Sequence, residues 1–244
     1  MAAALSAVTD SVHFAHTEMV NWTVVADDKG VMLIDAGYPG DRDDVIASLR
    51  DLGFGVDDLS AILLTHAHID HFGSAIWFAK TLGTPVYCHA TEVGHAKREY
   101  LEQVSPVDVA THIWQPRWLK WSIALARKGG LTHDGIPTAQ ALTQDIAAGL
   151  PGAPVAIPSP GHTGGHCSYI VDGVLVSGDA LVTAHPVAPR YGPQLLPRMF
   201  NHDQAGCVRS VSALAGLDTD VLLPGHGPVW RGPIREAAAA ATRS

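Results

Sequence analysis

Charge is sparse in this chain, and basic charge is sparser still. Only 16% of the 244 residues are charged, with 16 Lys and Arg against 24 Asp and Glu and a net charge of -8. The Lys and Arg residues form no dense run. Nucleic-acid binders depend on clustered cations for phosphate contacts, so nucleic acid is not expected as a partner. Cysteine is nearly missing. Cys88, Cys167 and Cys207 are odd in number and far apart, and none belongs to a C-x-x-C pair. That excludes a disulfide framework and predicts buried free thiols in a reducing compartment. No segment reaches the roughly 18 apolar residues of a membrane-spanning helix. The apolar run from Ala2 to Val8 is broken by Ser6, followed by Asp10, and lacks the basic start of a secretory signal. The expectation is a cytoplasmic protein without a membrane span.

Hydrophobic residues make up 47% of the chain, enough for a large core, and 24 Gly with 16 Pro imply many turns between short elements. Residues 1–244 are read as a single domain. Met19 to Ala26 and Val31 to Ile34 are apolar runs around an Asp27-Asp28-Lys29-Gly30 turn, the pattern of a hairpin. Residues 41–52 carry Val45, Ile46, Leu49 and Leu52 at helical spacing, closed by Gly53. Ala61-Ile62-Leu63-Leu64 reads as a buried strand, Ser74 to Leu82 as a helix, and Pro85 to Cys88 as another strand. Residues 90–150 are richer in charge and Trp and read as a helical insertion. Within it Trp114, Trp118, Trp121 and Leu125 recur at helical spacing, with Pro116 at the first turn and Gly129-Gly130 at the end. Later strands are expected at Pro154 to Ile157, Cys167 to Val171, Val174 to Ser177 and Val221 to Leu223. Asp172-Gly173 supplies a hairpin turn, 184–200 a loop, and 203–215 and 232–242 helices.

Histidine is where the composition departs from the ordinary: there are 14. The segment Thr65-His66-Ala67-His68-Ile69-Asp70-His71 directly follows a predicted strand. In an extended segment residues i and i+2 face the same way, so His66 and His68 can grip one ion. After a turn, Asp70 and His71 can face a second. Imidazole and carboxylate donors suit zinc and leave iron, manganese or cobalt open. Four donors cannot complete two sites. Further candidates follow predicted strands at Pro160-Gly161-His162, Ser177-Gly178-Asp179 and Pro224-Gly225-His226, each beside a glycine that permits close backbone approach.

Taken together, Asp35, His66-x-His68-x-Asp70-His71, His162, Asp179 and His226 resemble the motifs of the metallo-β-lactamase fold superfamily, over residues 12 to 230. The resemblance implies a four-layer αββα sandwich of the α/β class with the site at one edge of the two sheets. It implies that His66, His68 and His162 hold a first ion, Asp70, His71 and His226 a second, and that Asp179 bridges them. Asp35 matches a supporting position, and a plain turn-forming Asp is the alternative. The function implied is a metal-dependent hydrolase in which a hydroxide shared by two Zn2+ ions (Fe or Mn as alternatives) attacks an ester, thioester or lactone, with Asp70 also a proton shuttle. A mononuclear iron enzyme acting like a sulfur dioxygenase, or a non-catalytic metal-binding protein, remain alternatives. The motif Gly161-His162-Thr163-x-Gly165-His166 resembles both glyoxalase II-like thioesterases and acyl-homoserine lactonases. The chain lacks the basic cluster of the former, and Val182 stands where the latter place a Tyr. The partner is expected to be a small molecule, with an apolar acyl group if the Trp stripe forms a lid rather than core packing. Arg190 and Tyr191 are candidate substrate contacts. His166 and His185 are candidate hydrogen-bond supports of the ligands. The other histidines, His95 among them, are read as structural or solvated.

Overall fold

A computed structural model describes residues 3–243. Seven strands form the first sheet: β1 (Ala4–Ala7), β2 (Val12–His16), β3 (Trp22–Asp27), β4 (Gly30–Ile34), β5 (Leu59–Leu63), β6 (Val86–Cys88) and β7 (Gln140–Ala141). They lie in sequence order, antiparallel from β1 to β4 and parallel from β4 to β7. The second sheet holds β8 (Val155–Pro158), β9 (Cys167–Val171), β10 (Val174–Gly178), β11 (Val221–Pro224) and β12 (Trp230–Arg231), in the order β12-β11-β10-β9-β8. Only β10 and β11 are parallel there.

The layers follow from the two-residue period of the strands. Met32 and Ile34 of β4 face the core between the sheets, where they meet Tyr169, Val174, Val176 and Leu223. Val31 and Leu33 face the opposite side, toward α1 (Arg42–Arg50) and α2 (Ile69–Trp77) through Val45, Leu49, Phe72 and Ala75. On the other sheet Leu175 and Leu222 face outward to α7 (Gln204–Leu214) and α8 (Ile234–Thr242) through Val211, Leu214, Ile234 and Ala237. The result is the expected αββα order. Each large apolar side chain fully buried in these layers contributes about 1.5–3 kcal/mol.

The β9–β10 turn is Asp172-Gly173 with φ of 48° and 72°, the two positive values a tight hairpin turn requires. All three cysteines are free and buried. Some elements differ from the sequence reading. Strands β1, β2 and β12 were not expected. The helix expected from Ser74 begins at Ile69, so Asp70 and His71 stand in its first turn, and it ends in a wider turn over Phe78–Leu82. Residues 90–150 carry α3 (Val93–Ala96), α4 (Pro106–Ala110), α5 (Pro116–Arg127) and α6 (Gln144–Gly149), and also β7, which joins the first sheet. Pro116 opens α5, so Trp114 precedes the helix and lies 78% exposed.

Candidate metal centre

The centre sits where parallel strands of both sheets end. Strands β4 and β5 run side by side with Ile34 opposite Leu63 and deliver Asp35 and Thr65-His66. Strands β10 and β11 pair Gly178 with Pro224 and deliver Asp179 and His226. Strand ends on this edge of a parallel pair are a common place for ligand sites in α/β proteins. The edges are tied across the core: Cys167 N donates to Thr65 O at 2.8 Å, and Asn21 N to Gly225 O at 2.9 Å.

All seven residues singled out from the sequence converge. Donor atoms of His66, His68 and His162 lie within 4.8 Å of one another, as do those of His66, His71 and Asp179, and those of Asp70, His71 and His226. The Asp179 carboxylate stands between the groups: Oδ1 is 3.4 Å from His71 Nε2, and Oδ2 is 3.4 Å from His162 Nε2 and 3.3 Å from His226 Nε2. Asp70 Oδ2 lies 3.5 Å from His226 Nε2 and 4.0 Å from His71 Nε2. His68 stays on extended backbone just before α2, which keeps its ring on the His66 side.

Each of the five imidazoles uses one ring nitrogen on a support, leaving the other for the centre. His71 Nδ1 donates to Asp35 Oδ2 at 2.8 Å, His162 Nδ1 to Asn201 Oδ1 at 3.0 Å, and His226 Nδ1 to Met19 O at 2.6 Å. His68 Nε2 donates to Glu102 O. Thr65 Oγ1 donates to Asp35 Oδ2 and accepts from His66 Nδ1 at 3.1 Å. Asp35 also accepts from Thr65 N at 2.8 Å, and its φ of 61° is held by these bonds. It is thus a supporting residue and a turn residue at once. Buried polar atoms are normally paired. Yet His66 Nε2, His71 Nε2 and Asp179 Oδ1 are buried with no hydrogen-bond partner. Nitrogen and oxygen atoms left open in one small volume fit a divalent cation.

Electrostatics agree. Burial, then neighbouring imidazoles, lowers His66 and His68 well below the usual histidine range, and burial lowers His162. These rings are kept neutral, the form in which imidazole can ligate a metal. Burial also opposes charge on His71 and His226, but Asp179 overcomes it and raises both. Burial would raise Asp179, and His226 and His71 hold it well below the carboxylate range instead. The carboxylates therefore draw positive charge into this spot.

Two glycines are required by contact. A Cβ on Gly225 would stand 2.2 Å from Asp179 Oδ1, and one on Gly178, whose φ is 52°, 2.6 Å from Thr65 Oγ1. His166 is a support, as considered: Ser159 Oγ lies 2.9 Å from its Nδ1, and its Nε2 accepts from Asp179 N at 3.1 Å. Burial lowers it to about 3, so it is a neutral acceptor. His185 meets His226 edge-on, with centroids 4.7 Å apart, and its Nδ1 accepts from Val187 N.

Glu92 escaped the sequence reading. Its carboxylate is fully buried and accepts four bonds: Oε1 from Ala67 N and His95 Nδ1, both at 2.8 Å, and Oε2 from Thr163 Oγ1 at 2.9 Å and Gly165 N at 3.0 Å. It joins the loop of His66 and His68 to the loop of His162. The Glu92-His95 spacing of three was the only local signal. His95 is accordingly buried in this network rather than solvated.

Beside the centre opens a cavity of about 310 Å3. Asp70, Asp179, His162 and His226 form its floor, and Val104, Trp121, Leu125, Leu131 and Phe200 much of its wall. Trp121 is therefore a cavity residue, whereas Trp118 packs into the core, stacked on Phe200 at 5.8 Å and 5°. Trp114, Arg190 and Tyr191 do not line it. Tyr38 does, and burial followed by the Asp70 charge raises its phenol well above the ordinary value.

The family model of the metallo-beta-lactamase superfamily matches residues 17–226. The chain belongs to that superfamily. It is 28% identical over 227 residues to a probable metallo-hydrolase, YflN, of Bacillus subtilis, covering 80% of this chain and 75% of that one. It is 29% identical over 161 residues to a hydroxyacylglutathione hydrolase of Alkalilimnicola ehrlichii, covering 66% of this chain and 47% of that one. Among solved structures, a metallo-beta-lactamase of Cronobacter sakazakii superposes with a TM-score of 0.65 at 19% identity, over 98% of this chain and 91% of that one. That last likeness speaks to the superfamily fold alone.

Proposed function

We propose that this chain is a hydrolase that uses two zinc ions to cleave an ester, thioester or lactone in a small substrate. His66, His68 and His162 hold one ion in this reading, Asp70, His71 and His226 the other, and Asp179 serves both. The observation that carries it is the set of buried, unpartnered His66 Nε2, His71 Nε2 and Asp179 Oδ1 beside an apolar cavity. Bound there, divalent ions supply Lewis acidity and lower the pKa of water from about 15.7 toward 7. The protein supplies the rest. Asp35, Asn201, Met19 and Glu102 fix the tautomers of the ligand rings. Asp70 belongs to the cavity lining, so its carboxylate can hold a proton released beside the substrate. The apolar wall suits an acyl group and excludes water. The thioester option draws on the hydroxyacylglutathione hydrolase relative. Residues 1–244 act as one domain, with the segment 90–150 contributing part of the cavity wall.

The test is metal analysis together with hydrolysis of a thioester, an aryl ester, a lactone, a cephalosporin and a phosphodiester by zinc-loaded protein, with and without chelator. Two equivalents of metal and chelator-sensitive cleavage of a carboxylic ester, thioester or lactone are expected. A single iron with no hydrolysis would replace this reading by the mononuclear oxygenase, and no bound metal would end both.

A further inference from the structure

We propose that the outer face of α5, with the turn that precedes it, docks on an anionic lipid surface. Docking of this kind goes beyond the hydrolase reading and is independent of what the centre cleaves.

Exposure is the first observation. Twelve large apolar side chains are exposed among the described residues, and eight of them fall within residues 100–131. Trp114, 78% exposed, stands just before α5. Leu119 and Ile123 follow, half exposed and one helical turn apart, on the side opposite the buried Trp118 and Trp121. Leu131, 68% exposed, lies just past the last turn. It also lines the cavity, so the apolar strip reaches the cavity rim. Single exposed apolar residues need no explanation, but a cluster along one helix marks a contact.

Charge is the second. The whole chain carries -8, yet residues 103–131 hold Arg117, Lys120, Arg127 and Lys128 against Asp108 alone. Lys128 is paired with Asp41, and Arg117 reaches Val187 O at 3.5 Å. Lys120 and Arg127 lie on the outer face beside Leu119 and Ile123, and neither has a partner among the described residues.

This mixture selects the partner. A second copy meeting the face with its own would set cations against cations. The core of a protein interface is depleted in Lys, whereas here Lys120 adjoins Leu119. At a bilayer surface lipid phosphates meet the cations, while Trp, Leu and Ile sink into the boundary between headgroups and acyl chains. With 12 residues α5 lies on such a surface and does not span it. The acidic balance of the rest of the chain is repelled by anionic lipid, so binding there requires this face.

Co-sedimentation of the full chain with vesicles tests this without metal or turnover. The vesicles are phosphatidylcholine alone and an equimolar mixture with phosphatidylglycerol. Each cation near an anionic surface contributes about 5-fold, so the mixed vesicles should bind at least about 25-fold more tightly. Lys120→Gln combined with Arg127→Gln should remove about 25-fold, and Trp114→Ser about 10-fold. All three positions are exposed, so native melting should persist in both variants. No binding to the mixed vesicles, equal binding to both kinds, or unchanged binding in both variants would overturn the proposal. So would a wild-type dimer that Leu119→Glu with Ile123→Glu splits into monomers, because a second copy would then cover the face. Vesicle binding without turnover of any ester removes the hydrolase reading alone, and turnover without vesicle binding removes this one alone.

Discussion

Replacing Glu92 by glutamine exchanges one carboxylate oxygen for an NH2 group with almost no change in volume, and the geometry predicts what that does. Oε1 faces two donors and Oε2 faces two others. The amide NH2 must take one of these places. Facing Thr163 it can be accepted by the rotated hydroxyl, and facing His95 by the other tautomer. In either case one backbone N–H, of Gly165 or Ala67, points at another donor. One orphaned buried N–H costs about 1–3 kcal/mol, and losing charge from the remaining bonds adds about 1 kcal/mol. The expected loss is therefore about 2–4 kcal/mol, against a total stability of about 5–15 kcal/mol for a domain. Glu92→Ala strands all four donors and should be worse. Because Ala67 lies between the candidate donors His66 and His68 and Gly165 follows His162, metal affinity should also fall by about 10–100-fold. Urea unfolding of the chelated proteins isolates the first effect and competition with a chromogenic chelator the second. The pH dependence has a definite sign. Burial would raise Glu92, but the bonds from His95, Ala67 and Thr163 hold it below its ordinary 4.5. A depressed carboxylate stabilises the fold above its unfolded value, and the contribution fades as pH falls through the folded one. The gap between wild type and Glu92→Gln should thus be full above pH 4.5 and shrink below it. A variant within about 0.5 kcal/mol of wild type at pH 7, the scatter of ordinary surface changes, would refute the clamp.

Gly225→Ala should cost metal rather than fold: its Cβ would lie 2.2 Å from Asp179 Oδ1 and 2.7 Å from His71 Cε1. Metal analysis should show depleted ions in a protein that still melts cooperatively. Asp70→Ala should remove a metal donor and a cavity carboxylate together, lowering metal content to one ion and abolishing most turnover; retention of two ions and full turnover would reject Asp70 as a ligand. Trp118→Ala should lower stability by about 3–5 kcal/mol, because the ring is buried against Phe200, while turnover per folded molecule persists. Trp121→Ala should reverse that emphasis and raise KM for acyl substrates, since its ring lines the cavity.

The seven candidate donors could be picked out because each carries a local signal. His66 and His68 share a face of extended chain, and His162, Asp179 and His226 follow apolar runs beside a glycine. Supports carry no such signal. Glu92 reaches Gly165 across 73 residues, and Asn201 reaches His162 across 39, so only the folded chain shows them. The start of α2 was missed for a related reason. Its first turn holds the candidate donors Asp70 and His71, and the preceding residue is His68, not one of the side chains that usually cap helices. Strand β1 is mostly exposed, with no alternation to betray it. Trp114 shares the helical spacing of Trp118, yet Pro116 opens the helix after it.

The same supports bear on how specificity can vary. The donors stand at strand ends and in the first turn of α2, whereas much of the cavity wall comes from the segment 103–131 and from residues 185–200. Such a division would let the wall change while the centre is kept, but the hydrogen bonds forbid full separation. Glu102, next to the wall residue Gln103, accepts from His68 through its carbonyl and from Gly164 N through Oε2 at 2.6 Å. Its own N–H donates to His95, which in turn donates to Glu92. The segment that shapes the cavity thus also fixes the tautomer of His68 and buttresses the loop of His162. Val104, Val109 and Leu131 line the cavity and take no part in this chain of bonds, so substitutions there should alter substrate preference alone. Changes that shift the backbone at Glu102 should alter metal affinity as well. Measuring both quantities across such a series would separate wall from buttress residue by residue.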